Sequence, residues 1–205
     1  MTSEQSGARA VRKATPADLP AIYEICLRTA DAGVDATALY GDPHMPGIVW
    51  AAPYALFEPD FTFVLGDGDR PALGYVLAVP DTAAFEKRLD AEWWPEARKR
   101  FAGFVPRNEA EANALRHIVS PDNRVDDVVA QYPAHLHINL LPEAQGSGWG
   151  RRLIDTELAA LRAAGIKGVH LGVSPTNDRA KGFYRRLGFT DVSRDGRVTF
   201  AMSLS

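Results

Sequence analysis

Two segments in the C-terminal third carry residue types from which a binding and reaction site can be built. The first is Leu140-Leu141-Pro142-Glu143-Ala144-Gln145-Gly146-Ser147-Gly148-Trp149-Gly150-Arg151-Arg152. A strand-like stretch passes through three alternate glycines and opens an amphipathic helical pattern. Glycines let the chain approach a ligand closely, and the free N–H groups of a helix start attract anions, so the pattern suits a phosphate. Arg151 and Arg152 add positive charge. A glycine turn selected only for its backbone angles is the structural alternative. The spacing excludes two common phosphate loops. There is no Gly-Lys-Ser/Thr, and Gly-x-Gly-x-Gly is not the dinucleotide fingerprint, with no Asp or Glu ending the next strand to hold a ribose.

The second segment, after the next strand, is Asn177-Asp178-Arg179-Ala180-Lys181-Gly182-Phe183-Tyr184-Arg185-Arg186-Leu187-Gly188-Phe189. Together the two resemble the paired signatures of the GNAT superfamily of acyl-CoA-dependent N-acetyltransferases. Gln145, Gly148 and Gly150 match Gln/Arg-x-x-Gly-x-Gly. Asn177, Ala180, Phe183, Tyr184, Gly188 and Phe189 match Asn-x-x-Ala-x-x-Phe-Tyr-x-x-x-Gly-Phe. The resemblance implies acetyl-CoA as cofactor, with Gln145, Gly146, Ser147, Gly148, Trp149, Gly150 and Arg151 around its pyrophosphate. It also implies backbone pairing of Asn139, Leu140 and Leu141 with the pantetheine arm, Asn177 near the thioester half, and Tyr184 beside the sulfur as general acid. A core aromatic is the alternative for Tyr184, and a helix N-cap for Asn177. A narrower likeness rests on residues 26–36, Trp93-Trp94-Pro95 and Tyr132-Pro133-Ala134-His135-Leu136. These resemble bacterial relatives of the acetyltransferase-like C-terminal domain of O-GlcNAcase.

Acetyl transfer to an amine requires a proton acceptor, a donor for the carbonyl oxygen and a proton for the leaving thiolate. His135, His137 and Asn139 alternate with Leu136, Ile138 and Leu140, so one face of that strand is polar and is expected to look into a cleft. His135 is the expected base because it lies farther from the glycine turn, with His137 at the substrate. Histidines satisfied by neighbouring helices are the alternative. No Glu stands on this strand, where many members of the superfamily have one. Asp31, Asp35, Tyr40, His44 and Trp93 are further expected substrate residues, the aspartates to attract an ammonium and the rings to wall a pocket. A solvated acidic loop is the alternative for the aspartates.

The elements that position these residues follow from period and punctuation. Residues 1–9 read as a tail, and a single domain follows over 10–205. Val11 begins a strand; Thr15, Pro16 and Asp18 start a helix carrying Leu19, Ile22 and Cys26, with Gly33 beyond its end. One helix is expected over 47–57. Residues 61–65 and 73–79 form a hairpin around a turn at 66–69. The segment from about 80 to 133 is an inserted helical layer after the third strand, with helical runs over 82–101 and 108–119 and a break at 120–123. Strands at 135–141 and 168–173 alternate with helices over 149–164 and 177–187, and 189–192 and 198–203 close the sheet. The fold class is α/β, with a mixed sheet and a parallel pair near its centre.

Composition narrows the partners. Among 205 residues, 23 Lys and Arg face 26 Asp and Glu, a formal charge of −3. With a pI of about 6.0 and no basic cluster, nothing marks nucleic-acid binding. No run is long and apolar enough for a membrane span, and the N-terminus lacks a secretory pattern. Cys26 is the only cysteine, which excludes a disulfide framework and multi-cysteine metal sites and fits a cytoplasmic setting; no metal is expected. These features imply transfer of acetyl from acetyl-CoA to a primary amine, small molecule or peptide, by direct attack. The inserted helices offer a surface for a homodimer. A silent acetyl-CoA-binding module, sensing the cofactor or engaging a protein, is the alternative function.

Overall fold

The computed structural model describes residues 9–67, 70–121 and 127–205. Seven strands form one sheet in the order β1-β2-β3-β4-β5-β7-β6. They are β1 (Ala10–Lys13), β2 (Thr62–Gly66), β3 (Gly74–Val79), β4 (Ala134–Leu140), β5 (Gly168–Val173), β6 (Thr190–Asp191) and β7 (Val198–Ser203). All neighbours are antiparallel except β4 and β5. The mixed α/β class with a helical layer after the third strand is therefore what forms. The expected turn at 66–69 and the expected tail fall in part on residues 68–69 and 1–8, outside the described residues.

Every residue of β3 is buried, because helices cover both faces. Alternate strand residues serve opposite cores. Val64, Tyr75, Leu77 and Val79 join the helices before β4, whereas Leu65, Val76, Ala78, Leu136, Val169 and Phe200 pack with the later ones. On the first face lie α1 (Leu19–Leu27), α2 (Met45–Trp50) and α3 (Ala52–Phe57), followed by α4 (Thr82–Arg88), α5 (Trp94–Arg100) and α6 (Glu109–Val119). A short α7 (Asp127–Gln131) leads into β4. The second face carries α8 (Trp149–Ala163) and α9 (Asp178–Arg186).

The single helix expected over 47–57 is two, broken at Ala51 with φ −141°. Pro53 has no N–H to offer the carbonyl four residues back, so the chain must restart there. Gly47 allows α2 to lie against α1, since a Cβ there would sit 2.2 Å from the Tyr23 ring. The helical run over 82–101 is continuous but passes through a π-helical turn (Leu89–Trp93) just before Pro95. Glu111 is fully buried on α6. It fastens the loop before α2, accepting from the Gly41 amide at 2.7 Å and from the Arg107 guanidinium at 2.7 Å. Those donors hold its carboxyl down to about 2, the Arg107 side chain foremost.

Glu157 on α8 is also fully buried, yet neither carboxylate oxygen has a hydrogen-bond partner among the described residues. Burial alone pushes its pKa up to about 9. The folded chain therefore holds a proton that the unfolded chain releases, and stability present below pH 4.5 declines as the pH rises toward 9. Glu157→Gln removes the ionisation. Its melting temperature should match the parent near pH 5 and exceed it at pH 8, by an amount reflecting a few kcal/mol, on the order of 1.4 kcal/mol per pH unit. Thermal unfolding at the two pH values checks this, and an equal offset at both would contradict it.

Candidate functional site

β4 and β5 pair at Ala134↔Val169 and His135↔His170 and then separate, while β4 stays paired with β3 as far as Leu140. The β5-facing backbone edge of β4 is thereby opened past His135. A cavity of about 1000 Å³ fills the gap, lined by Leu136 to Leu140 on one side and Gly172, Val173 and Ser174 on the other.

The glycine turn forms one end. Gly146 and Gly148 have φ of +82° and +79°, and a Cβ on either would meet nothing within 4 Å. The glycines there answer a left-handed backbone and not crowding. Gly148 caps α8, whose first intrahelical bond runs from the Arg152 N–H to the Gly148 carbonyl at 3.1 Å. The amides ahead of it are left for a ligand. Gly150 brings α8 close to α9, since its Cβ would lie 3.3 Å from the Phe183 ring. The Gln145 amide nitrogen donates to the Leu140 carbonyl at 2.9 Å, tying the turn to the end of β4. Arg151, Arg179 and Arg186 line the same cavity. An open amide turn, three guanidinium groups and a long split between strands fit a diphosphate with an extended arm.

Tyr184 is buried among Phe183, Phe189 and Phe200 and lines the same cavity. Burial pushes its hydroxyl well above the ordinary tyrosine value, so it carries a proton at neutral pH. Asn177 caps α9 by accepting from the Ala180 amide at 2.9 Å, and its NH2 donates to the Ala32 carbonyl at 2.9 Å. The loop after α1 is thus held across the mouth of the cleft, with Ala32 at φ +49°. The Asn139 side chain donates to the Thr29 hydroxyl.

The polar face of β4 meets α3 and α4. The Thr82 hydroxyl lies 2.7 Å from the Pro133 carbonyl and 2.8 Å from His135 Nδ1. The Tyr54 hydroxyl lies 2.8 Å from His135 Nε2 and 3.0 Å from His137 Nε2. Burial, with a smaller contribution from His170, pushes His137 down to about 4, so it is neutral at pH 7. A second cavity of about 280 Å³ lies beside this chain of groups, lined by Trp50, Tyr54, Glu86, Trp94, His117, His135 and His137 among others.

The fold brings Asn139, Leu140, Gln145, Gly146, Gly148, Gly150, Arg151, Asn177, Tyr184, Tyr40 and His137 to the larger cavity. Several expectations change. Leu141 is buried with its N–H given to the Leu73 carbonyl at 2.8 Å, so it has no backbone donor for a ligand. Ser147 and Trp149 sit outside the cavity lining, and the Arg152 guanidinium stacks on the Trp149 ring at 4.6 Å. His135 lines the smaller cavity and both its nitrogens face hydroxyls. Asp35 caps its own turn through the Thr37 amide and hydroxyl, and Asp31 is held in a bridge with Val34. His44 packs on Tyr23, and the Trp93 N–H is bound to the Ile48 carbonyl at 2.9 Å; neither lines either of these two cavities. Trp94, not Trp93, faces one. Cys26 is buried with its thiol pushed up to about 12, unsuited to act as a nucleophile. Tyr54, Thr82 and Thr29 carry no motif. Arg179 and Arg186, seven apart on α9, share a face and were legible only as helix period.

The family model described as "Acetyltransferase (GNAT) family" matches residues 36–189. The chain belongs to the GNAT acetyltransferase family. It is 40% identical to the solved structure of SsHAT, with a TM-score of 0.89 over 97% of this chain and 99% of that one. It shares its fold with the Salmonella typhimurium acetyltransferase yncA, solved with its cofactor acetyl-CoA (15% identity, TM-score 0.54, 97% and 95% covered). A curated mycothiol acetyltransferase of Beutenbergia cavernae is 48% identical over 52 residues, 25% of this chain. This chain matches 18% of that relative's length. Acetyl-CoA is the acetyl donor of the family, as the two motifs imply.

Gly148→Ala places a Cβ in open space on a left-handed backbone, so its whole effect comes through the turn. We expect a stability loss of about 1–2 kcal/mol and weaker coenzyme A uptake by titration calorimetry. Unchanged uptake would remove the turn from the binding site.

Proposed function

We propose that this GNAT acetyltransferase transfers the acetyl group of acetyl-CoA directly to a primary amine, with no covalent enzyme intermediate. The observation that carries the reading is that a protonated, buried Tyr184 lines the same strand-split cavity as the open amides of the glycine turn.

Gln145, Gly146, Gly148, Gly150 and Arg151, with Arg179 and Arg186, would hold the diphosphate, and the free edge of β4 would pair with the arm, as an unpaired backbone edge requires. When bound, acetyl-CoA supplies an activated acyl carbon and a thiolate leaving group. Backbone donors on the free edge of β4 would stabilise the carbonyl oxygen as it gains charge. Tyr184 gives its proton to the sulfur. The β4 histidines take the proton that the attacking nitrogen sheds. Asn177 keeps the loop after α1 closed over the cleft, and Tyr40 walls it on that side.

The setting we assign is the cytoplasm, consistent with one buried, unpaired cysteine. No helix among the described residues is long and apolar enough to cross a membrane. Val105 and Val119 are exposed on the inserted layer, the surface through which two copies would pair.

Free-thiol release from acetyl-CoA in the presence of amines tests the reading. Tyr184→Phe should lower kcat by about 10²-fold with coenzyme A affinity unchanged. Cofactor binding with no thiol release above the uncatalysed rate for any amine would instead mark a silent binding module.

A further inference from the structure

A buried donor without an acceptor belongs to a residue in the wall of the smaller cavity. Trp94 is only 3% exposed and lines that cavity. Its indole N–H has no hydrogen-bond partner among the described residues. A buried donor without an acceptor costs about 1–3 kcal/mol, a cost that a bound oxygen atom would remove. The rest of the wall combines Trp50, Tyr54 and Leu89 with Glu86, and at about 280 Å³ the space lies at the lower limit for a small organic ligand. Leu136, His137, Gly172 and Trp50 line both cavities, so the two meet at His137.

The hydrogen atoms along this wall can be assigned in order. A carbonyl only accepts, so the Thr82 hydroxyl gives its one proton to Pro133. Thr82 must then accept from His135, which is protonated at Nδ1 and bears its lone pair at Nε2. Tyr54 donates to that lone pair and accepts from His137 Nε2–H. Neutral His137 therefore presents a basic Nδ1 on a ring that borders both cavities. We propose that the smaller cavity is the acceptor pocket, taking a small primary amine that carries a hydrogen-bond-accepting oxygen, and that His137 Nδ1 takes the proton of its attacking nitrogen. This rests on the acetyl-transfer reading above and moves the base from His135 to His137.

The amine enters unprotonated. Its lone pair forms the C–N bond as the C–S bond breaks, and the nitrogen, made acidic by attack, gives one proton to His137 Nδ1. His137 passes Nε2–H to Tyr54, and Tyr54 passes its own proton to His135 Nε2, leaving the charge on His135. Tyr184 protonates the sulfur. The proton gained by the histidines equals the one Tyr184 lost, and the two exchange through solvent after product release. Tyr54 and His135 are positioning residues that fix which nitrogen of His137 is basic.

Long-range ¹H–¹⁵N spectra of the histidine rings test this without turnover. At pH 7, His137 should be in the Nε2–H form and His135 in the Nδ1–H form; in Tyr54→Phe, His137 should populate both. With coenzyme A bound, tyramine should shift the Trp94 indole N–H and His137, and 2-phenylethylamine should leave the indole unmoved. In kinetics, tyramine should exceed 2-phenylethylamine in kcat/KM by about tenfold, the worth of one hydrogen bond, and Trp94→Phe should erase the difference. Tyr54→Phe should lower kcat by about 10²-fold with the KM for acetyl-CoA unchanged. An Nδ1–H form of His137, or no response of Trp94 and His137 to tyramine while coenzyme A binds, overturns the proposal and leaves the cofactor site standing. Failure to bind coenzyme A overturns the acetyl-transfer reading itself.

Discussion

The separation of β4 from β5 beyond His135 and His170 is the constraint on which the rest depends. Each strand keeps its other partner, β3 for one and β7 for the other, so the sheet holds together while its centre opens. Opening it leaves backbone groups without strand partners, a cost that native proteins tolerate where water or a ligand answers them. The same divergence aims the starts of α8 and α9 at one cavity. It also leaves His137 and Leu136 bordering that cavity and the smaller one.

Charge is distributed accordingly. The chain is acidic overall, at −3, yet Arg151, Arg179 and Arg186 converge on the larger cavity. Local potential, not net charge, decides what such a cleft attracts. Deeper in, charge gives way to neutral polar groups. Burial keeps Tyr184 protonated and His137 unprotonated at neutral pH, because it disfavours the charged form of each.

The inserted layer walls the smaller cavity and is not an appendage. Its α4 contributes Thr82 and Glu86, and α5 begins with Trp94. Tyr54 comes from α3, set by the break at Ala51 that Pro53 enforces. The chain from Thr82 through His135 and Tyr54 to His137 draws on three elements far apart in sequence, joined by bonds of 2.8–3.0 Å. Such a network specifies a geometry only when each member is satisfied.

The glycine turn and the Asn177 to Phe189 motif were legible in the sequence because both are local: left-handed glycines, an N-cap and a helix face are read within a few residues. The strands, the parallel pair and the inserted helices followed from period and punctuation in the same way. Asp35 is turned to a local task that spacing does not show, since the Thr37 amide and hydroxyl bind its carboxylate, and the Asp31 backbone is tied to Val34. Trp93 and Trp94 are adjacent and point to different surroundings, Trp93 to the Ile48 carbonyl and Trp94 to the wall of the smaller cavity. Which histidine nitrogen is basic was invisible, since it depends on Tyr54 and Thr82, residues without a motif. The sequence by itself determined the family, the sheet and the glycine turn that opens α8, all coded by short-range backbone preference. Only the tertiary structure decided where β4 and β5 part, which tryptophan lines the smaller cavity and which hydroxyls face the β4 histidines, because those depend on contacts between elements that sequence spacing does not relate.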